Sequence, residues 1–413
     1  MELNFSKSIT ESGVPLWAME MPFSNTVSVG VLIKAGTRDE NWPKEAGIAH
    51  ALEHMFFQGT ESFPTSQKLT EYIEEVGGRI NANTGKERTF YHVNIPSQYI
   101  ERGIKILSEQ LRKPLFPEEK ISVEIKNIIQ ELRKRKDDQP IFLRTEAYKN
   151  IYQNHSLAKD ALGIEESLLG FTRNDFVSFK QKTYDPSRSV FIAVGKINSD
   201  EVLRLFNKYF PDKVEGEFKR EPENMIGQGN KFLVINKDIE QAHLRLNALA
   251  GKAKEKESLY LNFFSIMISG GMSFPLFQEV RDKRGLCYSI DGGINEYSDI
   301  SEFGIYIGTD AKRYKEAIDA IMEVIQKNKN NEKLLEKAKQ VLLGRLDFIF
   351  EIPKGILDNA SYDLAVLDEP RGYEQIIKEI KSVTINNIEA AVDKYLKPEM
   401  FYTTMLAPND FKG

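Results

Sequence analysis

The chain repeats itself at a fixed offset, and this repeat limits its fold more than any other feature. "VSVGVLIKAGT" alternates Val27, Val29, Val31 and Ile33 and ends at Gly36, while "AHLRLNALAG" alternates Leu244, Leu246, Ala248 and Ala250 and ends at Gly251. A period of two marks a half-buried strand followed by a turn. Gly36 to Gly251 is 251 − 36 = 215 positions, and the later Gly-Gly pairs keep the offset, since Gly77 to Gly292 is 292 − 77 = 215. In both halves an apolar helical stretch follows the strand. Then comes Gly-Gly before an alternating strand, from Arg88 to Ile95 in the first half. "SVFIAVGKI" closes one half and "MFYTTMLAP" the other.

At 413 residues the chain exceeds what one core usually organises. Two duplicated domains are therefore expected, 1–212 and 231–413, joined by the polar stretch 213–230, "KVEGEFKREPENMIGQGN". Strands first, long helices in the middle and a strand last predict an α+β class. Each domain would be a mostly antiparallel sheet with helices packed on one face.

The two copies differ at one place. "NWPKEAGIAHALEHMFFQG" reads as a helix with Pro43 in its first turn and Gly59 at its C-cap. His50, Glu53 and His54 fall on one stripe, with Ile48, Leu52 and Met55 roughly opposite. Adding 215 lands on Ser265, Ile268 and Ser269, so the second copy keeps the helix and lacks the ligand-type residues. Two readings fit H-x-x-E-H: a solvated polar face, or a metal site with two imidazoles one turn apart and a glutamate beside them. The asymmetry between the copies favours the second. A third ligand would come from the helix in "FPEEKISVEIKNIIQELRKRKDDQP". Its apolar stripe is Ile121, Ile125, Ile128 and Leu132, and Glu124 and Glu131 share one face at the stripe's margin. His92, in a strand, His155, in a loop, and His243, at a strand start, read as structural.

The formal net charge of −5 gives no reason to expect nucleic acid as a partner. No apolar run approaches the roughly 18 residues of a membrane span. The single Cys287 permits no intrachain disulfide and no cysteine-based zinc site. With no basic and apolar leader at the N-terminus, a cytoplasmic protein is expected.

These motifs resemble the pitrilysin and mitochondrial processing peptidase family of inverzincins, in its short two-domain bacterial form. The resemblance covers nearly the whole chain, through "VSVGVLIKAGTRDENWPKEAGIAHALEHMFFQGT", "GGRINANTGKERTFYHVNIP" and "SLAKDALGIEESLLGFTRNDFVSFKQKTYDPSRSVFIAVGKI". The family pattern puts its third ligand about 76 residues beyond the motif, and here 131 − 54 − 1 = 76 residues intervene. The resemblance thus implies His50, His54 and Glu131 as ligands of a zinc ion, Glu53 as general base and Glu124 as a supporting carboxylate. "LFQEVRDKRGLCYSI" is similar to the family's Arg and Tyr element, which implies catalytic roles for Arg281 and Tyr288. Cys287 stands where the family commonly has a small residue such as Ala.

The activity implied is zinc-dependent endopeptidase cleavage of unfolded peptides inside a closed dimeric chamber. Substrate would add as a strand along Asn81, Ala82 and Asn83. One chain carries both the zinc motif and the Arg and Tyr element, so a homodimer with two sites is expected. The alternative is a non-catalytic partner or assembly subunit of the same family, and the intact motif argues against it.

Overall fold

Two sheets organise the computed structural model, which describes residues 3–223 and 229–411. Positions 224–228 of the expected connection lie outside the described residues. The first sheet holds β1 (Ser6–Ile9), β2 (Pro15–Glu20), β3 (Thr26–Ile33), β4 (Arg79–Thr84), β5 (Thr89–Pro96) and β6 (Ser189–Gly195), in the order β1-β2-β6-β3-β5-β4. The second holds β7 (Phe232–Lys237), β8 (Ala242–Ala250), β9 (Cys287–Glu296), β10 (Ser301–Thr309) and β11 (Tyr402–Pro408), in the order β7-β11-β8-β10-β9. Without β1 the orders correspond strand for strand. Each sheet has one parallel pair, β2 with β6 and β7 with β11, and is otherwise antiparallel. The chain is α+β and internally duplicated.

The alternating residues of β3 do what their period demands. Val27, Val29, Val31 and Ile33 join a core with Val93, Ile95 and Phe191 of the neighbouring strands and with the helices above them. Yet β3 is not half-buried as its alternation suggests. Ser28 and Leu32, on its other face, are buried too, because the helix Pro353–Val366 packs against β3 and β6. The helix Gln139–Tyr152 packs likewise on β8 and β11. The compact units are accordingly interleaved in sequence. One gathers Met1–Arg133, Lys159–Glu221 and Leu346–Ile376, the other Lys134–Ala158, Pro222–Arg345 and Ile377–Gly413. Each sheet thus takes a covering helix from the opposite half of the sequence.

Two local expectations change. "RINANT" is a strand of its own, β4, and forms a hairpin with β5. In the second half, Gly292 and Gly293 lie inside β9, not in a turn before it. Backbone pairing with Ile305 and Gly304 of β10 holds the glycines extended there. Among the described residues no helix is long and apolar enough to cross a membrane.

Candidate metal centre

The helix that carries the motif is short, Ile48–Met55, and begins five residues after Pro43. Gly47 stops it from starting earlier. Its φ of 91° is a left-handed conformation, and a Cβ there would lie 2.5 Å from the Leu162 carbonyl oxygen. The free amides of the first turn are met by a distant side chain. The buried Glu40 carboxylate accepts from the Gly47 and Ala49 amides, both at 3.1 Å. Burial pushes Glu40 up to about 8, while those two amides and the charges of Lys159 and Lys86 pull it down. The preceding loop is pinned on each side. Arg38 pairs with Glu87 at 2.7 Å, both buried, and Asp39 accepts from Arg188 at 2.7 Å and Arg220 at 2.8 Å. Ile48, Leu52 and Met55 are buried, so they hold the opposite stripe outward from the core.

The long helix Glu118–Asp137 brings the carboxylates to that stripe. It buries Ile121, Ile125, Ile128, Ile129 and Leu132, which turns Glu124 and Glu131 toward the motif helix. One ligand atom each from His50, His54 and Glu131 lies within 4.8 Å of the others, and His50 Nε2 is 3.9 Å from Glu131 Oε2. This is the one such group of metal-ligating side chains among the described residues. Atoms about 2 Å from a single zinc ion lie within about 4 Å of each other. The observed spread is slightly wider, and Glu131, with a 37% exposed side chain, has room to close it. Two imidazoles and a carboxylate therefore fit zinc with a further position open.

Glu124 does not join that trio. Its Oε2 is 3.1 Å from His54 Nδ1, and its Oε1 accepts from Gln58 Nε2 at 3.1 Å. With Nδ1 engaged, Nε2 is the nitrogen His54 offers a metal. Burial disfavours the His54 imidazolium, but the hydrogen bond to Glu124 and the charges of Glu53, Glu124 and Glu131 outweigh it, so its pKa lies above the ordinary value. Glu53 is 9% exposed. Burial raises its pKa, the Thr84 hydroxyl donating to Oε2 and the His54 charge lower it, and Glu131 adds to the rise. A carboxylate held above its usual range beside a metal-ligand trio is suited to taking a proton.

Thr84 closes β4, the end strand of its sheet. Along β4, Asn81 and Asn83 are exposed, while Ala82 packs against the core with Ile80. The edge expected to receive peptide is thus a real edge, and it ends at the residue that holds Glu53.

In the other compact unit, Arg281 sits on the single helical segment Leu276–Lys283 and Tyr288 near the start of β9. The guanidinium lies 4.7 Å from the Tyr288 ring centre and 4.5 Å from that of Phe277, and Tyr288 is 76% exposed. Burial pushes the neighbouring Cys287 thiol up to about 11, against the pull of Arg281, so it is a poor nucleophile. The remaining histidines lie outside the ligand trio. His92 is buried in β5 with its ring tilted against that of Phe90, His155 lies 3.8 Å from Glu223 and Asp299, and His243 Nδ1 meets the Tyr306 hydroxyl at 2.8 Å.

Sequence reading missed Glu40, Gln58 and Thr84. Gln58 had a signal, one turn after His54 on the same stripe. Glu40 and Thr84 had none, because their contacts depend on a loop and on β4 folding back.

Comparison with known proteins shows the family. Residues 18–164 match the family described as insulinase (peptidase family M16), and residues 170–342 match the peptidase M16 inactive domain. An uncharacterized zinc protease of Rickettsia felis is 30% identical over the whole of both chains. This chain belongs to peptidase family M16. Among other M16 relatives, the uncharacterized zinc protease YmxG of Bacillus subtilis is 29% identical over 97% of each chain. The M16 fold also recurs in a protease from Helicobacter pylori, with a TM-score of 0.87 and 21% identity over 99% of this chain and 100% of that one. A structure titled peptidase M16 inactive domain, from Pseudomonas fluorescens, has a TM-score of 0.89 and 18% identity over 100% and 99%.

Proposed function

We propose that this M16 chain is a zinc-dependent endopeptidase acting on unfolded peptides. The observation that carries the reading is the convergence of His50, His54 and Glu131 beside a buried Glu53 held by Thr84. His50, His54 and Glu131 would hold the zinc. When bound, zinc polarises a carbonyl and makes water acidic near neutral pH.

The protein's own residues supply the rest. Thr84 fixes one oxygen of Glu53, and the other takes the proton of the attacking water and delivers it to the leaving nitrogen. Glu124 orients His54 through Nδ1. Substrate runs as an added strand along β4, past Asn81, Ala82 and Asn83, so backbone pairing supplies affinity with weak preference for side chains. We assign Arg281 and Tyr288 to a second copy of the chain, where Tyr288 donates to the developing oxyanion and Arg281 adds positive charge. The assembly is then a closed homodimer with two sites. The single cysteine fits a cytoplasmic setting.

The test measures zinc content and cleavage of a quenched unfolded peptide, for wild type and Glu53→Gln. Zinc in both, with turnover in wild type alone, is expected. Zinc in both with turnover in neither would defeat the reading. Sedimentation of the active species as a monomer would remove the shared site.

A further inference from the structure

The compact unit that carries the motif helix also contains a cavity of about 190 Å³ against β3 and β6. Its apolar walls include Val31, Phe191 and Phe210, and its polar rim is Lys180, Arg112 and Asp212. The rim charges do not balance. Arg112 grips Asp212 with two nitrogens, Nε to Oδ2 and Nη2 to Oδ1 at 3.0 Å, so those two cancel. Lys180 is half-buried on the helix Arg173–Thr183, and its ammonium makes no hydrogen bond or ion pair among the described residues. Burial lowers its pKa, with Asp212 opposing and Arg112 adding to the shift. A partly desolvated ammonium beside an apolar hollow is costly without a counter-charge.

We propose that this cavity binds a small monocarboxylate with a compact apolar body, its acid group on Lys180 and its hydrocarbon against Val31, Phe191 and Phe210. An enclosed apolar cavity of about 150 Å³ holds benzene, so this one suits a body of about six carbons. A neutral ligand leaves Lys180 unmatched, and a bare inorganic anion leaves the apolar walls wet.

The cavity is also joined to the motif helix. Tyr184 forms part of its wall, and the Tyr184 hydroxyl meets the Tyr91 hydroxyl at 2.8 Å. Phe56, directly after the motif helix, packs its ring 5.2 Å from Tyr184 and 5.4 Å from Tyr91. An occupant resting on Tyr184 therefore stiffens the support beneath His50, Glu53 and His54.

The experiment titrates hexanoate into the full chain by calorimetry, with acetate and hexanamide as controls. Saturable hexanoate binding with a Kd on the order of 1 mM is expected, with both controls much weaker. Lys180→Met should weaken it about ten- to a hundredfold. Hexanamide matching hexanoate would remove the role of Lys180 without relying on a variant. Acetate matching hexanoate would remove the cavity, and no binding at 50-fold excess over that Kd would remove the site. Amide exchange of residues 48–56 should slow with hexanoate in wild type; unchanged exchange at saturation would overturn the coupling. No readout uses peptide turnover, so the outcome is separate from that of the peptidase reading.

Discussion

The two halves of the chain solve the same packing problem around different chemistry. In the first half the helix after the first long strand carries His50, Glu53 and His54. At 215 positions further, the helix Lys256–Ser269 carries Ser265, Ile268 and Ser269. Ile268 is buried, Ser265 turns back to the Asn262 carbonyl at 2.7 Å, and Ser269 accepts from the Gly292 amide at 2.9 Å. The correspondence extends to the long helices. Shifting 118–137 by 215 gives 333–352, and the second half has a helix at Glu332–Glu351. At the counterparts of Glu124 and Glu131, 124 + 215 = 339 and 131 + 215 = 346, stand Lys339 and Leu346, and Leu346 is buried. At these five positions the second half carries no histidine and no carboxylate. The fold does not require those groups, so their cost in burial points to use.

The comparison breaks most sharply if a first-half residue can be replaced by its second-half counterpart without loss. Glu131→Leu should weaken zinc more than about a hundredfold, read by chelator competition, because it removes a direct ligand. Glu124→Gln should weaken zinc by about ten- to a hundredfold and leave the fold intact, since it only orients His54; no change would make Glu124 a bystander.

Acid should have a graded effect. A proton on His54 excludes a metal, and its pKa is raised, so zinc affinity in the intact protein should fall as pH drops, beginning above pH 6.5. Each protonating histidine costs about tenfold per pH unit below its pKa. In Glu124→Gln the onset should move to lower pH, because the hydrogen bond that raises His54 is weakened. An unmoved onset would show that other charges dominate.

The smallest effect expected is at the helix start. Glu40→Gln should leave one first-turn amide poorly met and cost about 1 kcal/mol. That lowers Tm by about 2–4 °C for a unit of this size, measured by thermal denaturation.

Much of the first half's arrangement was legible early. The period of β3 reflects burial, which acts on every residue of an element, and the 215-residue offset reflects the duplication, which repeats that pattern in the second half. The heptad separation of Glu124 and Glu131 placed both on one face for the same reason. The helix start at Ile48 was not legible, because Pro43 and Gly47 each carry a plausible boundary signal and only the approach of the Leu162 carbonyl decides between them. Nor was the double burial of β3, which depends on a helix more than 300 residues away in sequence.

By itself, the sequence determined the α+β duplication and the polar stripe of His50, Glu53 and His54 on the motif helix, because each is a local pattern of burial or side-chain type; Glu131 was named through the resemblance to the family. Tertiary structure alone decided that Thr84 grips Glu53, that Glu40 caps the motif helix and that Lys180 lines a hollow whose one carboxylate, Asp212, is already gripped by Arg112. Those contacts join residues whose separation in the chain carries no period, and geometry selects them only after the sheet and helices have packed.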